Sequence, residues 1–131
     1  MDWDLYPNFS EDEFRCHGED CCGGQAAMAP NFMEYLQRLR SSIHTPMIVT
    51  SGFRCAVHNA RVGGGPAHPT GKAADIQASG TLAWKIMTHA WAFRGIGVKQ
   101  HGPHDKRFIH LDTLEPGEFE HALRPAVWSY T

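Results

Sequence analysis

The clearest periodic signal in the chain is "PNFMEYLQRLRSSI", residues 30–43, where Phe32, Leu36, Leu39 and Ile43 recur at spacings of 4, 3 and 4. That spacing puts the four side chains on one side of a helix and predicts one apolar face. A second helix is predicted over "TLAWKIMTHAWAF", residues 81–93, with Leu82, Ile86 and Phe93 near one face. Short apolar or alternating runs predict strands in "PMIVTSGF" (46–53), "KAADIQA" (72–78), "GIGVKQ" (95–100) and "RFIHLDT" (107–113). "NFSEDEF" reads as a short helix start, with Ser10 as N-cap and Glu13 three residues on, as in a capping box. "CHGEDCCGG" and the polar "HGPHDK" are loops, and "AVHNARVGGGPAHPTG" is mostly loop with one helical turn. The ending "RPAVWSYT" is expected to pack through Trp128 and Tyr130. Helices and short strands in this order predict a small α+β domain, with a short antiparallel sheet covered by helices.

Composition narrows the picture without changing it. At 131 residues the chain is one domain, residues 1–131, long enough to bury a core. A net charge of −2 supplies no basic face for nucleic acid or anionic lipid. No apolar run is long enough to insert in a membrane, and the acidic, aromatic opening "MDWDLYPNFSEDEF" does not have the form of a signal peptide. A soluble chain made in the cytoplasm is the expectation. No internal repeat or low-complexity tract is visible.

Nine histidines are many for this length. In "GPAHPTGKAADIQ" His68 precedes a predicted strand that carries Asp75, and Gly71, Ala73 and Ala74 between them allow close approach. His110 lies on the strand "RFIHLDT", with Phe108 and Asp112 on the same face. Two histidines and a carboxylate suffice for a three-ligand zinc site, whose open fourth position separates catalytic from structural zinc. On spacing alone, these residues read equally well as ordinary loop and strand-end positions.

"TSGFRCAVHNARVGG", "HPTGKAADI", "RGIGV" and "FIHLDT" occur in the order and spacing of zinc D-Ala-D-Ala peptidases, and the chain resembles that family over nearly its whole length. The group includes D-Ala-D-Ala carboxypeptidases, vancomycin-resistance dipeptidases and L-alanyl-D-glutamate endopeptidases, and shares a hedgehog-like fold. "NFSEDEFRC" and "RPAVWSY" are similar to its small phage and prophage branch. The resemblance implies that His68, Asp75 and His110 hold one catalytic Zn2+. It also implies that Arg54, in "SGFR", faces the active site, to stabilise an oxyanion or clamp a substrate carboxylate. A structural ion pair is the other reading of Arg54.

The sequence departs from the family at the general base. Relatives place Glu or Asp three residues before the last histidine ligand, or His two before it; here those positions hold Arg107 and Phe108. Asp112 is the first candidate, because it shares a strand face with His110 and so is expected to point toward the reacting water. Its alternative role is to orient a ligand. His104 and Asp105 are weaker candidates. Asn59 is expected to cap or brace its loop, and "VGGGP", with no lysine after it, is not a phosphate loop. Cys16, Cys21, Cys22 and Cys55 read as buried thiols, as one disulfide, or as a structural zinc site with His17; none is expected to be catalytic.

The function implied is a zinc metallopeptidase cutting an amide bond in the peptide stem or cross-link of peptidoglycan, either endolysin-like or carboxypeptidase-like. It would act as a monomer on the cell wall or periplasm after release, or as a virion component. The other class is a non-catalytic zinc-containing binding or structural module of a phage particle.

Overall fold

The computed structural model describes residues 1–131. The strongest periodic segment forms helix α1, Pro30–Ile43, with Pro30 at its first turn and His44 ending it at φ 52°. Proline there loses no intrahelical hydrogen bond and arrives with helical φ. Phe32, Met33, Leu36, Leu39 and Ile43 are all buried, so the apolar stripe is the packed face. Upstream, the Ser10 N–H donates to the Glu13 carboxylate at 2.7 Å. This holds the 3-10 turn Glu11–Phe14, which delivers Phe14 fully into the core.

The loop before His68 is more ordered than expected. It contains a short helix α2, Ala56–Arg61, and a 3-10 turn, His68–Thr70. Helix α3 runs Gly80–His89 and stops short of the predicted end. Phe93, placed on the helix face by periodicity, returns from a turn instead and packs edge-on to Phe32 at 5.8 Å. Trp91 in that turn is 88% exposed, so the period fails there because the chain has left the helix. No helix is long and apolar enough to cross a membrane.

The strands are β1 (Ile48–Ser51), β2 (Ala73–Gln77), β3 (Gly95–Lys99), β4 (Phe108–Asp112) and β5 (Ala126–Ser129). They form a five-stranded sheet in the order β1-β2-β4-β3-β5. The first four pair antiparallel, as expected. The tail adds a strand that the sequence did not announce: β5 pairs parallel with β3, which makes the sheet mixed.

Strand alternation divides the chemistry between the two faces. Ala74 and Ile76 of β2, Ile109 and Leu111 of β4 and the partly buried Ile96 of β3 join α1 and α3 in the main core. The opposite face carries Asp75, His110 and Asp112. Register puts Ser51, Asp75, His110, Gly97 and Trp128 in one row across the five strands. A small second cluster of Ala67, Ala73 and Leu114 packs on this face beside the row.

The two glycines of "GIG" are a steric requirement of that face. A Cβ at Gly97 would fall 2.6 Å from Trp128 Nε1, and one at Gly95 would overlap the Asp112 carboxylate. The carboxylate cannot retreat, because Asp112 is fully buried and held by Arg124. Gly95→Ala is therefore expected to destabilise the protein by about 1–3 kcal/mol. Gly65→Ala, where a Cβ meets nothing, should stay within about 0.5 kcal/mol. Urea unfolding of the two variants checks the contrast.

Candidate metal centre

His68, Asp75 and His110 converge on one point. All three are buried, and one ligand atom from each lies within 4.8 Å of the others. Asp75 and His110 are direct cross-strand partners, which brings their side chains together without any loop rearrangement. His68 arrives from the 3-10 turn before β2. Asp75 Oδ1 sits 3.0 Å from His110 Nδ1 and 3.4 Å from His68 Nε2.

Each imidazole is pinned by its far nitrogen. His68 Nδ1 donates to the Gly52 carbonyl at 2.7 Å, which turns Nε2 toward Asp75. His110 Nε2 lies 2.8 Å from Asp112 Oδ2, which turns Nδ1 toward the same point. A metal-binding histidine usually has its other nitrogen held this way, fixing tautomer and ring plane. Two nitrogens and a carboxylate oxygen, each oriented and no more than partly solvated, match the donor set of a three-ligand zinc site. The residues fit the ion.

Asp112 does not stand where the sequence suggested. It shares the strand face with His110, but it lies behind the ring, on Nε2, and is 0% exposed. Arg124 grips it with both arms of the guanidinium, Nε to Oδ1 at 2.9 Å and Nη2 to Oδ2 at 2.8 Å. The Leu114 N–H donates to it as well. With no exposed surface, no place in the cleft lining and both oxygens engaged by Arg124, Asp112 is not positioned to take a proton from a reacting water. The role left to it is orienting His110. His104 and Asp105 are exposed on a 3-10 turn outside the cleft, so they are not its base either. Arg124 Cζ also lies 4.9 Å over the Trp128 ring, which in turn sits 5.3 Å from His110.

The ligands open onto a cleft of about 340 Å³, also lined by Arg54, Phe108, Trp128 and Tyr130. A groove of about 370 Å³ beside Tyr35 and Trp91 is as large, but no metal-ligating cluster faces it. Arg54 Nη2 is 3.5 Å from Asp75 Oδ2, and its side chain is 20% exposed, so the guanidinium is both paired and reachable. Asn59 braces the rim as expected. Its amide donates to the Gly65 carbonyl at 2.9 Å, and its oxygen meets Arg54 Nη1 at 3.5 Å. Asp75 is the one carboxylate among the cleft-lining residues.

Burial pushes the Asp75 carboxyl up, but hydrogen bonds from His110 and His68 overcome it and hold the group well below the usual carboxylate range. Burial likewise pushes Asp112 up, and His110 and Arg124 bring it down. His110 is the converse: burial lowers its pKa, while Asp112 and then Asp75 outweigh that and raise it. Tyr130 is raised, chiefly by burial.

The sequence reading did not assign Arg124, Trp128 or Tyr130 to the site. They come from the C-terminal segment, whose cues pointed only to packing. The family model described as Peptidase M15 matches residues 7–112. That span contains Arg54, His68, Asp75, His110 and Asp112, and ends before the C-terminal residues of the cleft. No curated protein matches the chain.

Two outcomes follow for metal binding. Asp112→Asn, by loosening the hold on His110, is expected to weaken zinc affinity about 10–100-fold, measured by competition with a chromogenic chelator. The metal-free fold gains stability from charged His110 below the ordinary histidine range and loses it as pH rises through the raised value. Zinc needs Nδ1 bare, so its affinity should rise over that same window, with a proton released on binding at pH below the raised value. Calorimetry in buffers of different ionisation enthalpy reads that proton directly.

Proposed function

The chain belongs to the Peptidase M15 family, and on that premise we propose that it is a zinc peptidase hydrolysing an amide bond in the peptide stem or cross-link of peptidoglycan. The observation that carries the reading is the convergence of His68, Asp75 and His110, with both imidazoles pinned from behind, on an open cleft beside Arg54. His68 Nε2, His110 Nδ1 and an Asp75 oxygen would hold the ion. When bound, zinc supplies Lewis acidity toward a peptide carbonyl.

The chain's own residues supply the rest. Arg54 presents a fixed cation at the cleft, suited to an oxyanion or to the free carboxylates that stem peptides carry next to their amide bonds. Its partial pairing with Asp75 keeps it in place. Tyr130, held in the protonated form by burial, is a donor: it can hydrogen-bond developing charge or hand a proton to a leaving amine. Asp112 and Arg124 hold the His110 ring still while Trp128 walls the cleft. A single chain provides every one of these groups, consistent with a monomeric enzyme. The likeness of "NFSEDEFRC" and "RPAVWSY" to the small phage and prophage branch supports action on the cell wall, as a lysis enzyme or a virion component.

Digestion of purified peptidoglycan by the zinc-loaded protein, with mass analysis of the fragments, tests the reading. Release of fragments cut at a stem or cross-link amide is expected, and the fragment masses identify the bond. Arg54→Ala should slow release about 10²–10³-fold with zinc still bound. Zinc-loaded wild-type protein that releases nothing from any peptidoglycan type overturns the peptidase reading in favour of a zinc-containing binding module.

A further inference from the structure

Four side chains outside the cleft form a second cluster with metal-ligand chemistry. The Sγ atoms of Cys16, Cys21, Cys22 and Cys55 all lie within 4.8 Å of one another. We propose that these four cysteines form a structural tetrathiolate zinc centre, separate from the His68–Asp75–His110 site, that ties the N-terminal loop to the turn carrying Arg54.

The spacing is close to what the ion needs. Zinc–sulfur bonds of about 2.3 Å set tetrahedral sulfurs roughly 3.8 Å apart, so a small contraction of the cluster closes the site. No disulfide joins any of the four. A single disulfide would use one pair and leave two thiols, whereas one ion uses all four. Thiolate-only tetrahedral sites select zinc or iron. His17 is exposed and outside the cluster, so the ligand set is four sulfurs without it.

The surrounding backbone is shaped to the sulfurs. The Cys55 N–H donates to Cys16 Sγ and the His58 N–H to Cys55 Sγ, each at 3.5 Å. Such donors favour sulfur in its anionic, metal-binding form. Gly18 passes so close that a Cβ there would lie 2.6 Å from Cys21 Sγ and 2.7 Å from His58 Cβ. Asp20, Gly23 and Gly24, with φ of 48°, 72° and 77°, turn the loop back around the cluster.

The clamp bears on the cleft without touching it. Cys55 follows Arg54 directly, and Gly52, whose carbonyl holds His68 Nδ1, lies three residues before it. The Phe53 N–H donates to the Phe14 carbonyl at 3.0 Å, so the same turn is already laced to the N-terminal segment. A zinc at the cysteines would lock the turn that presents both groups.

The experiment is elemental analysis of the full-length chain purified under reducing conditions with zinc. About two zinc ions per chain are expected. Cys16→Ser and Cys55→Ser should each lose one and melt at lower temperature; His68→Ala should lose the other. Because the cysteine variants could fail to fold, His68→Ala loaded with Co2+ gives a second reading. It should show thiolate-to-cobalt charge-transfer absorption, which the histidine–carboxylate site cannot produce. The proposal is overturned by any of three results: zinc that disappears entirely in His68→Ala, iron in place of the second zinc, or an intact mass lacking the hydrogens of a thiol pair. None of these readouts depends on peptidase activity.

Discussion

Asp112 is a carboxylate with no exposed surface, and the chain must satisfy its charge from within. It does so with two bonds from Arg124, one from the Leu114 N–H and one from His110 Nε2. Each partner comes with a structural consequence. The arginine fork draws in the C-terminal segment and stacks it over Trp128. The backbone bond sets the exit from β4. The imidazole bond decides which nitrogen of His110 faces the cleft. The glycine at position 95 leaves the volume that the carboxylate occupies. Removing one partner of such a buried pair typically costs about 3–5 kcal/mol, so the network couples stability to the geometry of a candidate metal ligand.

The sheet supplies the second constraint. Its helix-covered face is filled by aliphatic side chains, and its open face carries one row in which Asp75, His110 and Trp128 stand on neighbouring or near-neighbouring strands. A ligand pair built on cross-strand partners is stiffer than one built on loops, because neither backbone can move without breaking the ladder. His68 is the exception. It rides on a turn, and its orientation depends on the Gly52 carbonyl at the end of β1. The N-terminal segment and the cysteine cluster bear on the turn that carries Gly52, so they brace His68 through the carbonyl its ring is bonded to.

The family match ends at residue 112, while the cleft does not. Arg124, Trp128 and Tyr130 finish the wall and hold Asp112 from outside the matched span. The part of the chain that carries the candidate metal ligands is thus the shared part, and the cleft wall is completed by the segment beyond it.

Local patterns in the sequence were enough for α1, four of the strands and the Ser10–Glu13 cap, because each rests on a short-range rule: helical period, strand alternation, or a capping pair of fixed spacing. The three candidate ligands rested on the family resemblance, since their spacing alone left them undecided. The sequence also showed that the usual base positions, Arg107 and Phe108, hold no base. It left undecided what Asp112 does, since alternation places it on the face of His110 whether it points at the water or at the far side of the ring. Only the tertiary structure places it behind the ring, through Arg124, which is twelve residues away in the chain and lies just before β5, the strand paired with β3. The same holds for β5, whose sequence cues pointed only to packing, and for the four cysteines, which the sequence left open between buried thiols, one disulfide and a zinc site until the fold brought their sulfurs together. Long-range contacts are set by which faces pack, and no local pattern encodes them.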